Sequence, residues 1–344
     1  MKKIRCLLVV LLATSIQFAR GAEMPAVIDR PRAQDGPTQV SVGIWIADIT
    51  SIDSAQQNFT AEVAVVLRWR DPRLTHTGNG IVRYPLEQVW HPRVAVVNET
   101  NSVSRKFPEA VEVEADGTVN YRQHYAGAFT QPLRLQSFPF DRQTFRVQLV
   151  AVRYRPNEVM FVPDQDWIRN GLRQAGGVAP LITLPDWTVE KWETKPLTYA
   201  LAPGFEYSSY AFEFTASRNV QHYIWKVILP LIIIVAMSWS VFWVAATEVG
   251  PQLSVATTSM LTLIAYRFAI DHQLPALPYT TSLDTFILMS TLLVFFSFIE
   301  VLATTILEGQ HRNKQAKRID RYCRVIFPLI FVIASIAIFG HPRS

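Results

Sequence analysis

Two hydrophobic patterns divide this chain into an amino-terminal and a carboxyl-terminal part. From about Gln39 to Arg218, apolar and polar residues alternate, as in residues 39–46, 60–69 and 145–149. This alternation predicts β-strands with one buried face. A turn signal lies at residues 115–118, and no long amphipathic helical pattern separates the strands. We therefore predict an all-β, immunoglobulin-like sandwich of two sheets.

Four long apolar runs follow the alternating part, at about residues 223–244, 251–271, 283–306 and 322–339. Each is long enough to cross a bilayer, although the fourth is close to the lower limit. The first run contains Pro230, which a helix bundle tolerates where neighbouring groups satisfy the freed carbonyl. We predict an all-α, four-helix transmembrane domain over residues 221–344, after an outer domain over residues 22–220.

The amino terminus has the pattern of a secretory signal peptide, which we assign to residues 1–21. Lys2, Lys3 and Arg5 precede a short apolar run at residues 6–13. Removal of this segment would leave Cys323 as the only thiol, so we expect no disulfide in the exported domain. Basic residues between the third and fourth runs, within residues 308–324, predict a loop on the inner side. Four crossings then place both the outer domain and the carboxyl terminus outside.

The second apolar run carries polar residues along one helical face. At helical spacing this face holds Ser254, Thr258, Leu261, Ala265, Phe268 and His272. Several copies around an axis would line a water-filled path with rings of these side chains. Alternatively, the small and hydroxyl residues pack against neighbouring helices, as is common in membrane bundles.

The sequence contains no motif that indicates enzymatic chemistry, a cofactor or a metal. The histidines show no HExxH spacing, and no GxSxG or phosphate-binding loop occurs. Acidic residues near 109–116 are typical of a solvated strand edge. The formal net charge of +5 comes largely from the basic residues before the fourth run, so it does not indicate nucleic-acid binding.

Short motifs along the whole chain resemble a subunit of the pentameric ligand-gated ion channels, the Cys-loop receptor family. Residues 69–74 (WRDPRL) and 90–92 (WHP) resemble two of its conserved elements, and residues 138–141 (FPFD) match the centre of its signature loop. Gln131 and Phe145 stand at the positions of the bridging cysteines, as in bacterial members without the disulfide. Residues 238–243 and 277–281 look most like the bacterial subgroup that responds to primary amines.

The resemblance implies five identical subunits in a bacterial inner membrane, with a periplasmic outer domain and surrounding lipid. It places unknown small-molecule agonists between outer domains, beneath the hairpin at residues 195–209. The aromatic candidates for this site are Trp192, Tyr199, Phe205 and Tyr207, because aromatic faces attract cations. However, Ala64, Ala95, Val150 and Val152 stand where amine-gated relatives have carboxylates or rings, which makes an amine agonist doubtful.

The resemblance also implies roles in the pore and at the domain junction. Leu261 and Phe268 are expected to form the closed constriction, because rings of large apolar side chains exclude water. Cation-selective relatives have a glutamate directly before the pore helix, where this chain has residues 249–252 (VGPQ). Glu248 is expected to select monovalent cations instead, as the only charge at that pore mouth, although proline before the pore helix is also found in anion-selective members. The residues expected to couple the domains are Asp53, Asp141, Arg218, Pro275, Pro278 and Tyr279. The alternative function is a membrane-anchored binding or sensor module that does not conduct. A transporter is disfavoured because no inverted repeat occurs.

Overall fold

The computed structural model describes residues 27–31, 35–100, 103–172, 174–245, 247–271 and 277–340. The predicted signal peptide lies outside these residues. An outer β domain precedes a helical domain. The strands of the outer domain are β1 (Thr38–Asp53), β2 (Asn58–Arg70), β3 (Val82–Pro85), β4 (Val94–Val96), β5 (Ser104–Arg105), β6 (Ala110–Val113), β7 (Thr118–Thr130), β8 (Arg142–Ala151), β9 (Val159–Pro163), β10 (Gly176–Val178), β11 (Trp187–Ala202) and β12 (Phe205–Arg218).

The strands form two sheets, which confirms the predicted fold class. One has eight strands, in the order β10-β1-β2-β7-β6-β3, with β5 beside β7 and β9 beside β1; the other has the order β11-β12-β8-β4. The alternation seen in the sequence corresponds to burial, because successive strand residues face opposite sides. Val40, Val42, Ile44 and Ile46 on β1 are completely buried.

Aromatic rings fill the space between the sheets. Phe59 on β2 lies 5.3 Å from Phe145 on β8 and 5.6 Å from Phe214 on β12, measured between ring centroids. Phe145 therefore contributes to the core at the position that the family resemblance assigns to a cysteine. At the other such position, the Gln131 side-chain oxygen accepts a hydrogen bond from the Arg146 amide at 3.2 Å.

The predicted turn at residues 115–118 joins β6 to β7. Gly117 has φ of +83°, in the left-handed region that glycine adopts without steric cost. A Cβ at this position would lie 2.6 Å from the Asp71 carbonyl oxygen. Close approach of the backbone to the end of β2 therefore requires glycine here.

Within the described residues, α-helices follow or interrupt the strands: α1 (Gln165–Arg169), α2 (Gln221–Tyr223), α3 (Leu229–Trp239), α4 (Val249–Asp271), α5 (Ser282–Gly309) and α6 (Asn313–Gly340). A π-helical segment, Ile224–Ile228, joins α2 to α3, and a 3-10 segment, Ser240–Trp243, follows α3. In the part of the chain that the structure describes, four stretches are long and apolar enough to cross a membrane: Gln221–Trp243, Val249–Ile270, Ser282–Gly309 and Asn313–Gly340.

A side chain of α4 compensates for the proline in the first membrane helix. Pro230 has no N–H to donate to the carbonyl of Lys226, one helical turn earlier. The Tyr266 hydroxyl lies 3.2 Å from that carbonyl oxygen and 2.7 Å from the carbonyl oxygen of Val227, and donates to them. A neighbouring helix therefore satisfies the freed backbone group.

Two membrane helices begin earlier in the chain than the predicted apolar runs. The basic segment before the fourth apolar run belongs largely to α6, which begins at Asn313 rather than near residue 322. Lysine and arginine favour helices, so charge alone does not end one. Similarly, α4 begins at Val249 and includes Gly250 and Pro251. Proline is tolerated there because first-turn N–H groups have no helical partner.

Candidate functional site

The predicted polar stripe lies on the exposed face of α4. The members that the structure describes are all exposed in the single chain: Ser254, Thr258, Leu261, Ala265 and Phe268. The exposed fractions of Leu261 and Phe268 are 66% and 73%. His272 lies outside the described residues. Two hydroxyl groups and two large apolar side chains thus share one helical face that the rest of the chain leaves uncovered.

The opposite face of α4 packs inside the helical bundle. Its buried residues are Gln252, Ala256, Ser259, Leu263 and Ile270. Each of them lies two positions before or after a stripe residue, a rotation of about 200° around the helix. Two polar groups on the buried face donate to main-chain carbonyls: Gln252 Nε2 donates to the Val244 carbonyl at 3.1 Å, and Ser259 Oγ to the Val255 carbonyl at 2.8 Å. The Gln252 side-chain oxygen is buried and has no partner among the described residues.

Glu248 lies immediately before the first residue of α4. Its side chain is exposed, and its carbonyl oxygen accepts a hydrogen bond from the Gln252 amide at 3.2 Å. The helix therefore starts directly after this carboxylate, two residues earlier than the apolar run predicted from about residue 251. A negative charge near a helix amino terminus is favoured by the helix dipole.

Arg218 lies at the end of β12, where the outer domain meets the first membrane helix. Its Nε donates to Asp141 Oδ1 at 2.7 Å, and the two side chains are only 5% and 1% exposed. Its guanidinium carbon also lies 4.2 Å from the ring centroid of Trp187 and 4.8 Å from that of Phe138. The pair predicted between Arg218 and Asp141 is thus present and shielded from water by two rings.

The role predicted for Asp53 differs in the structure. Its carboxylate accepts hydrogen bonds from the Ala55 and Gln56 amides and so caps a turn between β1 and β2. Arg218 reaches the neighbouring residue instead, because its Nη2 donates to the Ser54 hydroxyl at 3.1 Å. Asp53 shapes the loop that contacts Arg218 without itself being the partner.

The loop between β7 and β8, residues 131–141, caps the amino terminus of α5. The Ser282 amide donates to the Gln136 carbonyl at 2.9 Å, and the Leu283 amide donates to the Phe138 carbonyl at 3.1 Å. First-turn amides of a helix have no partner within the helix. The outer domain therefore satisfies backbone groups of the membrane domain directly, which joins the two domains rigidly.

The same loop reaches further membrane elements. The Tyr279 hydroxyl accepts a hydrogen bond from the Leu135 amide at 3.3 Å and donates to the Leu133 carbonyl at 3.4 Å. The Phe138 ring lies 4.9 Å from that of Tyr223 on α2. The structure therefore brings Tyr279 to the junction as predicted, whereas Pro278 is exposed and Pro275 lies outside the described residues.

Phe140 extends this junction to the last helix, because its ring lies 5.3 Å from that of Phe339 on α6. The sequence analysis singled out the motif containing Phe138 and Phe140 but gave neither ring a role. Their position in a loop between two strands was the available signal, since apolar rings in a loop need a surface to pack against. The backbone contacts of Gln136 had no signal in the sequence.

Three of the four aromatic candidates for the agonist site share the β11–β12 hairpin near its tip. Tyr199 is directly opposite Tyr207, so their side chains lie on the same face of the sheet. Phe205 is two residues before Tyr207 and is 55% exposed. These rings lie at the far end of the hairpin from Arg218.

Trp192 does not join these rings. It lies seven residues before Tyr199 with no bulge between them, an odd separation that puts it on the other face of β11, about 23 Å along the strand. It stacks on Phe212 with ring centroids 5.9 Å apart and lines a separate cavity of about 410 Å³. The prediction that it belongs to the same pocket is therefore wrong.

A cavity of about 250 Å³ beside β4 brings together polar groups that the sequence analysis did not assign. It is lined by His91, Arg93, Arg105, Glu109 and Val152, among others. Arg105 pairs with Glu109 at 3.2 Å, and Arg93 has φ of +46°. Burial, assisted by Arg93, lowers the pKa of His91 to about 4, so this imidazole is neutral at neutral pH.

Of the small residues noted in the sequence, Val152 lines this cavity. Ala95 is paired with Val150 across β4 and β8, and Val152 follows on the cavity wall. Ala64 is opposite His124 in the other sheet. None of these four positions supplies a carboxylate or an aromatic ring.

The fold and the junction agree with the comparison to known protein families. Residues 27–200 match the neurotransmitter-gated ion-channel ligand binding domain, and residues 227–317 match the neurotransmitter-gated ion-channel transmembrane region. The chain belongs to this family, the pentameric ligand-gated ion channels, whose members are channels rather than enzymes. It is a multi-pass membrane protein with an outer β domain.

Similar proteins include bacterial and animal channels. The chain is 28% identical over 312 residues to a proton-gated ion channel of Gloeobacter violaceus, covering 89% of this chain and 84% of that protein. It is 24% identical to a gamma-aminobutyric acid receptor subunit beta-like of Drosophila melanogaster, over 86% of this chain and 62% of that one. A gamma-aminobutyric acid receptor subunit beta of Lymnaea stagnalis is 22% identical over 84% of this chain and 60% of that one. The chain thus spans about three fifths of the length of the two animal subunits.

Proposed function

We propose that five copies of this chain form a ligand-gated channel whose pore is lined by the exposed stripe of α4. The stripe is the observation that carries this proposal. On α6 the exposed face is apolar, with Val325, Leu329 and Ile333 each more than half exposed, as suits contact with lipid. On α4 the exposed face includes Ser254 and Thr258, whose hydroxyls are disfavoured against hydrocarbon. Rings of these hydroxyls around a central axis would instead face water.

Leu261 and Phe268 are the proposed closed constriction. They are the two large apolar side chains on the stripe, and both project away from the chain's own core. A ring of such side chains blocks ions by excluding water from the bore. Leu261 lies one helical turn after Thr258 in the chain. The apolar rings therefore lie next to the hydroxyl rings and closer to the outer domain.

Glu248 is the proposed selectivity charge, and monovalent cations are the proposed permeant ions. It immediately precedes α4, so five copies would form an acidic ring at the pore mouth farther from the outer domain. From residue 247 to 265 the structure describes no lysine or arginine that would attract anions there. Charged rings at a narrow mouth set ion selectivity.

The proposed agonist site lies between outer domains, beneath the tip of the β11–β12 hairpin. Tyr199, Phe205 and Tyr207 supply its aromatic surface. The nearby cavity carries Arg93 and Arg105, of which only Arg105 has a carboxylate partner in the contacts described. This positive lining disfavours a cationic amine, in agreement with the missing carboxylates at Ala95 and Val150.

Arg218 and the residue 131–141 loop are proposed to transmit agonist binding to the pore. The loop caps α5 through Gln136 and Phe138, and Asp141 at its end holds Arg218. A movement of the sheet therefore acts directly on the start of α5 and on Tyr279 just before it. The proposed setting is a bacterial inner membrane with the outer domain in the periplasm.

Recording from purified protein in planar bilayers tests this function. We expect single-channel openings, a particle mass of five chains, and a reversal potential near the cation equilibrium potential under a salt gradient. Glu248→Gln is the matched variant, and it is expected to lower conductance and cation preference. A correctly folded pentamer without any conductance, across a range of small-molecule and pH stimuli, would favour the anchored binding module instead.

A further inference from the structure

Two acidic side chains meet inside the helical bundle, away from the proposed pore and agonist sites. Glu300 on α5 is 8% exposed and Asp320 on α6 is 4% exposed. Their carboxyl groups lie within hydrogen-bonding distance of each other. Buried ionisable groups are rare and need a partner of opposite charge or a proton. Neither carboxyl faces a basic side chain that would serve both.

One oxygen of each carboxyl group lacks a donor among the residues that the structure describes. Glu300 Oε1 and Asp320 Oδ1 are fully buried and have no hydrogen-bond partner there. A carboxylate can only accept hydrogen bonds, so two ionised groups in contact would repel each other. A single proton between them supplies the missing donor and removes one of the two charges. Carboxyl pairs that share a site hold one proton tightly for this reason.

The charged or titratable neighbours among the described residues are Cys323 and Arg324, both on α6. Arg324 is mostly engaged elsewhere, because its Nε donates to the Phe242 carbonyl at 2.9 Å and its guanidinium lies over the Trp243 ring at 5.6 Å. Its charge favours the ionised form of Asp320 only from a distance, and it does not supply the donor that the pair lacks. Cys323 adds no positive charge.

We propose that Glu300 and Asp320 form a proton-binding site that holds α6 against α5. Glu300 lies 18 residues after Ser282, where α5 contacts the outer domain, so the site is about 27 Å farther along the helix. This depth is close to the hydrocarbon thickness of a bilayer, which places the pair near the membrane face opposite the outer domain. Protons of that compartment can therefore reach it.

The site is connected to the pore helix through an apolar cluster. Val301, next to Glu300, packs with Phe242 and with Ala256 on the buried face of α4, and Cys323 and Phe327 of α6 join this cluster. Release of the shared proton would place two negative charges in contact and separate α6 from α5 beside these residues. Alkaline pH on the inner side is therefore expected to change gating, a consequence that rests on the proposed channel function.

Infrared spectroscopy of the full-length protein in lipid tests the site without requiring conduction. At neutral pH we expect a carboxylic-acid C=O band that is absent from the E300Q/D320N double variant and retained in Glu87→Gln, an exposed carboxylate of the outer domain. In Asp320→Asn, the band should disappear at a pH about one unit or more lower than in the wild type, because the neighbouring charge no longer holds the proton. No band in the wild type, a band unchanged in the double variant, or an unchanged midpoint in Asp320→Asn would each overturn the proposal.

Thermal unfolding and current recording supply the second test. The folded pair keeps a proton at pH values where the unfolded carboxylates have already released theirs, so wild-type stability should fall as the pH rises above about 4. Glu300→Gln keeps a hydrogen-bond donor facing Asp320, so this pH-dependent loss of stability should be absent from the variant. An equal fall in stability in the wild type and in the variant would contradict a shared proton. If the infrared band is present but wild-type current does not respond to inner pH, the site stands and its effect on gating is overturned.

Discussion

Replacement of Arg218 by glutamine removes the most buried ion pair at the domain junction. The variant leaves Asp141, which is 1% exposed, without its charge partner. Removing one partner of a buried pair typically costs about 3–5 kcal/mol, because the remaining charge stays desolvated. The stacking of Arg218 on Trp187, at 4.2 Å, adds about 0.5–2 kcal/mol. We therefore expect Arg218→Gln to lose both stability and the contact that joins β12 to the residue 131–141 loop.

Surface abundance and current, measured on the same cells or vesicles, separate folding from coupling. Arg218→Gln should reach the surface in reduced amount and give less current per surface channel. Arg142→Gln is the matched control, because Arg142 pairs with Glu190 in a pair that is 57% and 32% exposed, worth about 0–1 kcal/mol. It is expected to behave like the wild type in both measurements.

The D141N/R218Q double variant tests whether the unpaired Asp141 carboxylate causes the loss of surface abundance. It no longer contains an uncompensated buried carboxylate, so surface abundance should partly recover. Current per channel should stay low, because the connection between β12 and the loop is still missing. Normal current per channel in Arg218→Gln, or full recovery of current in the double variant, would refute the coupling role.

Three further predictions concern the pore and the outer domain. Leu261→Ser should rewet the constriction and raise spontaneous opening in single-channel recordings, and unchanged gating in both this variant and Phe268→Ala would contradict the assignment. Glu248→Gln should shift the reversal potential under a salt gradient away from the cation potential, and a wild-type reversal near the chloride potential would exclude a cation-selective pore. Because the pKa of His91 is lowered from 6.5 to about 4 in the folded protein, the unfolded chain takes up a proton first on acidification. Stability should fall from pH 6.5 towards pH 4 in denaturant titrations, and the part due to this residue should vanish in His91→Gln.

Strand positions could be predicted where one face is buried and the other is not. On β1, Val40, Val42 and Ile44 are completely buried, and the alternation follows directly from the pleat. The sheet face on which Trp192 lies could also have been predicted, because residues seven positions apart on a strand point to opposite faces and Tyr199 is seven residues later. Aromatic character alone does not tell a core ring from a pocket ring.

Contacts between distant main-chain groups could not be predicted. The Gln136 carbonyl caps α5 at Ser282, 146 residues later, and any residue type offers the same carbonyl. Helix starts were also misjudged: the second apolar run was predicted from about residue 251, whereas α4 begins at Val249, because proline fits a first turn. Hydropathy located the apolar part of α6 but not its start, since the polar first turns at Asn313 are also helical.

Cysteine accessibility on α4 tests the central proposal, a pore lined by the exposed stripe, most directly. Thr258 lies on the exposed face, and Ser259, the next residue, is completely buried. In a Cys323→Ser background, Thr258→Cys and Ser259→Cys would each be recorded in bilayers while a charged thiol reagent is applied. The account predicts that the reagent blocks current in Thr258→Cys and leaves Ser259→Cys unchanged; block of Ser259→Cys but not Thr258→Cys would contradict it.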